Sequence, residues 1–250
     1  MLNFNNIVMD YEPFPIGAGG PAMNEDLFDE LSQAFPDVGG ANHRHRLGDN
    51  KYFINATKGR DLYRTILQNN KRWKEFDSYI RDGQCTKDAM DFLLGQGIDL
   101  GYYRPTQPIK KRLRTALGDI VKRKRLPEFP IGLYARMEFS MMPSDAGGLR
   151  PHTDDEKKIV TIIVHMNRLG EWKKEWGGGL SIGHPKDPKK YYNKLNEKLD
   201  FSEMQLEKTF ENQPNSMMLF IKTFNSWHWV APLQGIDTFR KTLTINIETN

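Results

Sequence analysis

The sequence predicts an α+β fold, in which a mostly helical N-terminal layer covers a C-terminal β-sandwich or jelly roll. Three observations lead there. Apolar residues recur at helical spacing only before about residue 130. From Ile131 onward the chain breaks into short runs rich in β-branched and aromatic residues, several of them alternating apolar and polar. Pro, Gly and Asp separate those runs, which is the punctuation of antiparallel sheets. No repeat and no linker interrupts the 250 residues. One domain is therefore expected over 1–250, with 1–130 as helical support and 131–250 as the β core.

Taken in order, residues 1 to about 23 carry Pro13, Pro15, Gly17, Gly19, Gly20 and Pro21 and read as loop. Asn24 is placed to cap a helix, Glu25 to Phe35, with Phe28, Leu31 and Phe35 as its buried stripe and Pro36 as its stop. Asp37 to Asn50 is polar. Its cluster His43-Arg44-His45-Arg46 can bind a metal or an anion, but the composition reads as surface loop. Helical patterns follow at about 59–81 and 86–96, with Tyr63, Ile66, Leu67, Trp73, Phe76 and Ile80 on the core face.

Lys110 to Arg125 holds eight Lys and Arg against the single acid Asp119, more than the whole net charge of +4. Leu113, Leu117, Ile120 and Val121 recur there at helical spacing, so the run reads as an amphipathic helix with a solvated basic face. No aromatic is interleaved to stack on bases, which disfavours nucleic acid as a partner.

In the β half, Leu133 to Met142 alternates cleanly, and a Pro/Asp/Gly loop, Pro143 to Gly148, follows. Ile159 to Met166 is the next strand, and Trp176-Gly177-Gly178-Gly179-Leu180-Ser181-Ile182 gives a short one after a turn. Residues 184–215 are polar and Lys-rich and read as an insertion, solvated or acting as a lid, with helix around 202–210. Ser216 to Ile221, Trp229 to Val230 and Lys241 to Glu248 complete the set.

A hydrophobic fraction of 38% and an aromatic fraction of 11% are enough for a core. No window approaches 18 uninterrupted apolar residues, so no membrane span is expected. Met1 to Asn6 lacks the charged start and apolar run of a signal peptide. The single cysteine, Cys85, excludes an internal disulfide framework and suits a reducing, cytoplasmic setting.

The chemistry concentrates in His152-Thr153-Asp154. On extended chain a His and an Asp two residues apart point to the same side and can grip one divalent ion, such as Fe(II). The second His must come from elsewhere. His228, in Asn225-Ser226-Trp227-His228-Trp229-Val230-Ala231-Pro232-Leu233, sits just past an apolar strand. His165 and His184 lack a ligand pattern and read as structural. Trp227, Trp229 and Phe224 can wall a site or serve as ordinary core.

Further on, Arg240, Thr242, Thr244 and Asn246 share one strand face and Leu243, Ile245 and Ile247 the other. An Arg at the head of a polar face can hold a carboxylate bidentately, with the Thr hydroxyl adding a hydrogen bond. The competing reading is an outward polar face on an edge strand.

Over about residues 131–248 these elements together resemble the Fe(II)- and 2-oxoglutarate-dependent oxygenase superfamily, and within it the prolyl-4-hydroxylase-like branch. The resemblance rests on His152-x-Asp154, the Trp176-Gly177-Gly178 strand, His228 before Val230 and Pro232, and Arg240-x-Thr242, in the family's order. An Arg at 240, where many members of that branch have Lys, is a departure. The resemblance implies a double-stranded β-helix core. It implies that His152, Asp154 and His228 bind iron, with no catalytic residue beyond these ligands. Arg240 and Thr242 would hold the far carboxylate of 2-oxoglutarate, the cosubstrate used with dioxygen. Tyr134 on the first strand is a further candidate contact, and Arg136 competes for that role. The implied activity is hydroxylation of an unactivated C–H bond of a small molecule or a peptidyl side chain. The alternative from another class is a non-redox metal-binding jelly roll, a zinc hydrolase or a sensor. A dicarboxylate clamp at Arg240 has no use in such a protein.

Overall fold

The structure is a computed structural model. It describes residues 1–38, 51–100 and 132–249, and the backbone alone of 46–47. The basic run Lys110 to Arg125 and the pair His43 and His45 lie outside the described residues.

The period-two pattern near the C-terminus becomes the centre of the molecule. Strand β12 (Phe239–Thr249) lies between β5 (Leu133–Pro143) and β7 (Lys158–His165), antiparallel to both. β7 pairs in turn with β10 (Met217–Ile221), and β10 with β2 (Ile16–Gly19), which pairs with β1 (Val8–Asp10). On the other side β5 pairs with β4 (Lys51–Asn55), next to β3 (Arg46–Leu47). Among the described residues this sheet has eight strands in the order β1-β2-β10-β7-β12-β5-β4-β3. A four-stranded sheet faces it. Its order is β6 (Leu149–His152), β11 (His228–Val230), β8 (Leu180–Pro185), β9 (Met204–Phe210). β12 is thus a central strand, and the edge-strand reading of its polar face fails.

The two faces of the large sheet differ as the alternation requires. Leu243, Ile245 and Ile247 join Val160, Ile162 and Phe139 in a core that packs on helices α1 (Glu25–Gln33), α2 (Arg60–Asn69), α3 (Lys71–Arg81) and α4 (Gln84–Gly95). Trp73 meets Phe139 edge-on at 4.6 Å between ring centroids and donates its indole N–H to the Ala34 carbonyl. Cys85 is buried in this core, and burial pushes its thiol up to about 12, so it stays protonated. Between the sheets a second core gathers Ile16, Met218, Phe220, Leu180, Ile182 and Val230. The polar face of β12 also looks into that space, and there the apolar packing gives way to a cavity.

Three expectations need correction. Residues 1–23 are not all loop, because β1 and β2 extend the large sheet. The glycines misled: a Cβ on Gly19 would collide with the Asn6 carbonyl, so glycine serves close backbone approach inside a strand. The pattern at 59–81 is two helices, broken at Asn70, whose side chain accepts from the Trp73 N–H and restarts the second. The helix expected around 202–210 is strand β9. Its Glu, Met, Gln, Leu and Lys favour helix locally, but pairing with β8 and a Ser181–Thr209 hydroxyl contact of 2.9 Å override propensity. The segment read as an insertion therefore supplies the edge of the small sheet.

Candidate metal and cosubstrate site

The register of the small sheet assembles the first half of the site. β11 pairs with β6 so that His228 and His152 are direct partners, and their rings lie 4.3 Å apart between centroids. Asp154 comes to them differently from the sequence expectation. β6 ends at His152, and Asp154 takes a left-handed φ of 70°. A turn, not period-two alternation on extended chain, brings the carboxylate round; Asp accepts this conformation better than most residues. Asp154 Oδ1 lies 3.6 Å from His152 Nε2, and Oδ2 lies 3.8 Å from His228 Nε2. One ligand atom from each of the three falls within 4.8 Å of the others. The neighbouring Asp155 is exposed and accepts from the Lys157 N–H.

The donor set suits a divalent metal. His152 Nδ1 lies 2.8 Å from the Arg150 carbonyl and His228 Nδ1 lies 2.8 Å from the Ser226 carbonyl. A carbonyl only accepts, so both imidazoles carry their proton on Nδ1 and present the Nε2 lone pair to the cluster. Burial, then the nearby His152, pushes His228 down to about 3, so it is neutral at physiological pH. Burial alone would raise the Asp154 carboxyl. The Lys158 ammonium, with the His152 and His228 rings, instead holds it well below the usual carboxylate range. Two neutral nitrogens and one carboxylate on one side of an ion are the ligands Fe(II) takes when open positions are needed.

Both Asp154 oxygens have partners from β7. Lys158 Nζ donates to Oδ1 at 2.7 Å, and the Thr161 hydroxyl lies 3.2 Å from Oδ2. The wall of the cavity, about 360 Å³ in volume, continues along β12 through Asn246, Thr244 and Thr242 to Arg240. Arg240 is buried, at 5 % exposure. Burial lowers it to about 10, so the guanidinium remains charged at neutral pH. Its Nε donates to the Gly178 carbonyl, and its Nη2 lies 3.5 Å from His165 Nε2. Gly178 has a φ of 84°, and a Cβ there would come within 3.0 Å of the Arg240 side chain. No carboxylate among the described residues pairs with Arg240. The next residue, Lys241, pairs with Glu171 instead.

The other two candidates are placed elsewhere. Tyr134 is 40 % exposed, does not border the cavity and donates to Glu248 at 2.8 Å. Arg136 borders the cavity, but its guanidinium holds the same Glu248 at 2.7 Å. The β5–β12 register explains this, since Tyr134 faces Glu248 and Arg136 faces Asn246, at the opposite end of β12 from Arg240. Among the aromatics, Trp227 and Trp229 pack with Leu199 and Met204 away from the cavity, and Phe224 is exposed. The ring beside His228 is Phe220, at 4.6 Å between centroids.

His165 is the residue that sequence reasoning missed. It pairs across β7–β12 with Thr242, so it lies on the cavity-side face beside Arg240. Its Nδ1 lies 2.9 Å from the Ser216 hydroxyl, which donates to the Gln213 carbonyl at 2.7 Å. Ser216 therefore accepts from Nδ1–H, and the bare Nε2 faces the Arg240 guanidinium. Burial and then Arg240 hold His165 well below its ordinary value. The available signal was its parity with Thr161 and Ile163 on β7. Replacing His165 by Leu should weaken 2-oxoglutarate binding about tenfold, because Arg240 loses a buried acceptor, and should leave iron content unchanged. Calorimetric titration checks both.

The two buried histidines also set a pH dependence. In the unfolded chain each takes up a proton as pH falls below about 6.5, whereas in the folded metal-free protein they stay neutral. The unfolded state thus binds more protons, and stability falls with falling pH. Urea unfolding of the metal-free protein should lose up to about 1.4 kcal/mol per pH unit for each histidine between pH 6.5 and 5. Stability that is flat across this range contradicts the assignment.

Residues 137–248 match the sequence model of the 2OG-Fe(II) oxygenase superfamily, which implies Fe(II) and 2-oxoglutarate as cofactor and cosubstrate. No curated protein matches the chain in sequence. The chain is similar to the crystal structure of a Pseudomonas putida prolyl-4-hydroxylase, at 12 % identity and a TM-score of 0.45, over 93 % of this chain and 92 % of that one. No helix among the described residues is long and apolar enough to cross a membrane. The matched stretch, residues 137–248, is the one that carries the His–Asp–His cluster and Arg240.

Proposed function

We propose that this protein is a dioxygenase that hydroxylates an unactivated C–H bond of a small molecule or a peptidyl side chain. In this reading His152, Asp154 and His228 hold Fe(II), and Arg240 with Thr242 holds the far carboxylate of 2-oxoglutarate. One observation carries it: Arg240 is a buried cation without a carboxylate partner among the described residues, and it faces the same cavity as the His–Asp–His cluster. Burying an unpaired charge is costly unless a ligand completes it. A zinc hydrolase or a sensor has no need of that cation.

Bound Fe(II) and 2-oxoglutarate supply oxidation by dioxygen, one oxygen atom going into succinate as CO₂ leaves and the other into the C–H bond. The chain's own residues do the rest. The Arg150 and Ser226 carbonyls keep both imidazoles in the metal-binding tautomer. Lys158 and Thr161 aim the Asp154 carboxylate. Arg240, steadied by the Gly178 carbonyl and His165, orients the cosubstrate lengthwise. Leu149, Leu180, Val230, Ile163 and Phe220 line the cavity and keep water from it. Purified protein loaded anaerobically with Fe(II), then given 2-oxoglutarate and dioxygen, should form succinate in a reaction that stops when iron is removed. Succinate formation independent of iron, or none at any 2-oxoglutarate concentration, contradicts the proposal.

A further inference from the structure

Asp154 owes its place to a backbone turn, and that turn is held from a distant part of the chain. A left-handed φ is locally unfavourable for a residue other than glycine and persists where the surroundings fix it. Lys158 and Thr161 grip the Asp154 carboxylate, but those bonds act on the side chain, not on the turn. Thr153, between His152 and Asp154, is fully buried. Its N–H donates to Asn196 Oδ1 at 3.2 Å, and its hydroxyl donates to the Asn193 carbonyl at 3.0 Å. The Ser226 hydroxyl lies 3.2 Å from the Thr153 carbonyl but 2.8 Å from that of Thr223, and it donates to the nearer. Both bonds that Thr153 donates therefore end in the polar stretch that reads in sequence as an insertion or a lid.

That stretch is tied to both ligand-bearing segments. The Leu199 N–H donates to the Pro151 carbonyl at 3.1 Å, one residue before His152. The Asn193 N–H donates to the Phe224 carbonyl at 2.7 Å, and the Tyr191 carbonyl accepts from the Trp227 indole at 2.8 Å, one residue before His228. The Asn193 side chain closes the loop on itself, accepting from the Glu197 N–H and donating to the Glu197 carbonyl, both at 2.8 Å. Residues 191–199 thus brace the segment of His152 and Asp154 against the segment of His228. Within this brace the Asn196 side chain reaches the ligand turn. Asn196 borders the cavity and has a φ of 55°, a conformation that Asn accepts better than most residues.

We propose that Asn196 is a positioning residue for the metal: by holding the N–H of the peptide that joins His152 to Thr153, its side chain sets the direction from which Asp154 meets the two histidines. This rests on the reading of His152, Asp154 and His228 as the iron ligands.

The test titrates metal-free protein anaerobically with Co(II), the metal alone. Calorimetry gives the affinity, and the visible absorption of the bound ion reports its coordination. Asn196→Gly keeps the left-handed backbone and removes the acceptor. It should weaken Co(II) binding about tenfold or more, as loss of a partner behind the ligands commonly does, and it should shift the visible spectrum. Asn196→Asp keeps both the oxygen and the turn, and should bring affinity and spectrum back to native. Urea unfolding of each metal-free variant reports on the fold, and Asn196→Ala replaces Asn196→Gly if the glycine variant does not fold. Native protein that binds no Co(II), or His152→Ala that binds it as native protein does, overturns the ligand reading and this proposal with it. Native binding with either affinity or spectrum unchanged in Asn196→Gly, or a loss that Asn196→Asp does not restore, overturns this proposal alone.

Discussion

Arg240→Met should raise the 2-oxoglutarate concentration needed for half-maximal turnover by about 100-fold or more, with iron content at the native level. Removing one member of a buried, hydrogen-bonded charge pair commonly costs 2–5 kcal/mol or more, which spans that factor. Thr242 would remain, but a hydroxyl cannot replace a bidentate guanidinium. Arg240→Lys should fall between the two, because an ammonium restores charge without the fork. Stability should move the other way. In the cosubstrate-free protein the guanidinium is buried with only a carbonyl and an imidazole for company. Its depression by burial to about 10 corresponds to roughly 3 kcal/mol of unfavourable burial. Met at 240 removes that cost, so the cosubstrate-free variant should unfold at no lower urea concentration than native protein. Loss of cosubstrate binding without loss of stability marks a residue retained for function. An unchanged 2-oxoglutarate requirement would move the clamp to Arg136.

Replacing His152, Asp154 or His228 by Ala should each reduce iron to background after anaerobic loading, a larger effect because each supplies a ligand atom. The Asp154 variant has a second consequence. It leaves Lys158 partly buried without its carboxylate, and breaking a fully buried pair costs about 3–5 kcal/mol. Lys158 is 18 % exposed and can reach water, so a smaller loss of urea stability is expected. His228→Ala removes a ring that burial keeps neutral and should cost packing alone. Full iron retention in two of the three variants contradicts the ligand set.

Much of this was legible because period two survives intact in β12. A single alternation placed Arg240, Thr242, Thr244 and Asn246 on the cavity wall and Leu243, Ile245 and Ile247 in the core. His152, Asp154 and His228 became candidates from their residue types and their places at strand ends, and the structure brings the three together, though not by periodicity. What sequence did not reveal depends on partners distant in the chain. β1, β2 and β9 become strands by pairing at the edges of the two sheets, against their glycines or their helix formers. Tyr134 was a candidate through the resemblance and Arg136 as its competitor, but the β5–β12 register sets them beside Glu248. His165 had no motif, and only the pairing with Thr242 brings it to Arg240. Asp154 reached the site through a left-handed turn that no periodicity foretells.

An anaerobic crystal structure of the protein with a divalent metal and 2-oxoglutarate tests the central claim most directly. The account predicts metal density bounded by His152 Nε2, the Asp154 carboxylate and His228 Nε2, with the far carboxylate of 2-oxoglutarate on the Arg240 guanidinium and the Thr242 hydroxyl. Metal outside that cluster, or a cosubstrate held by Arg136 with Arg240 still bonded only to Gly178 and His165, would contradict it.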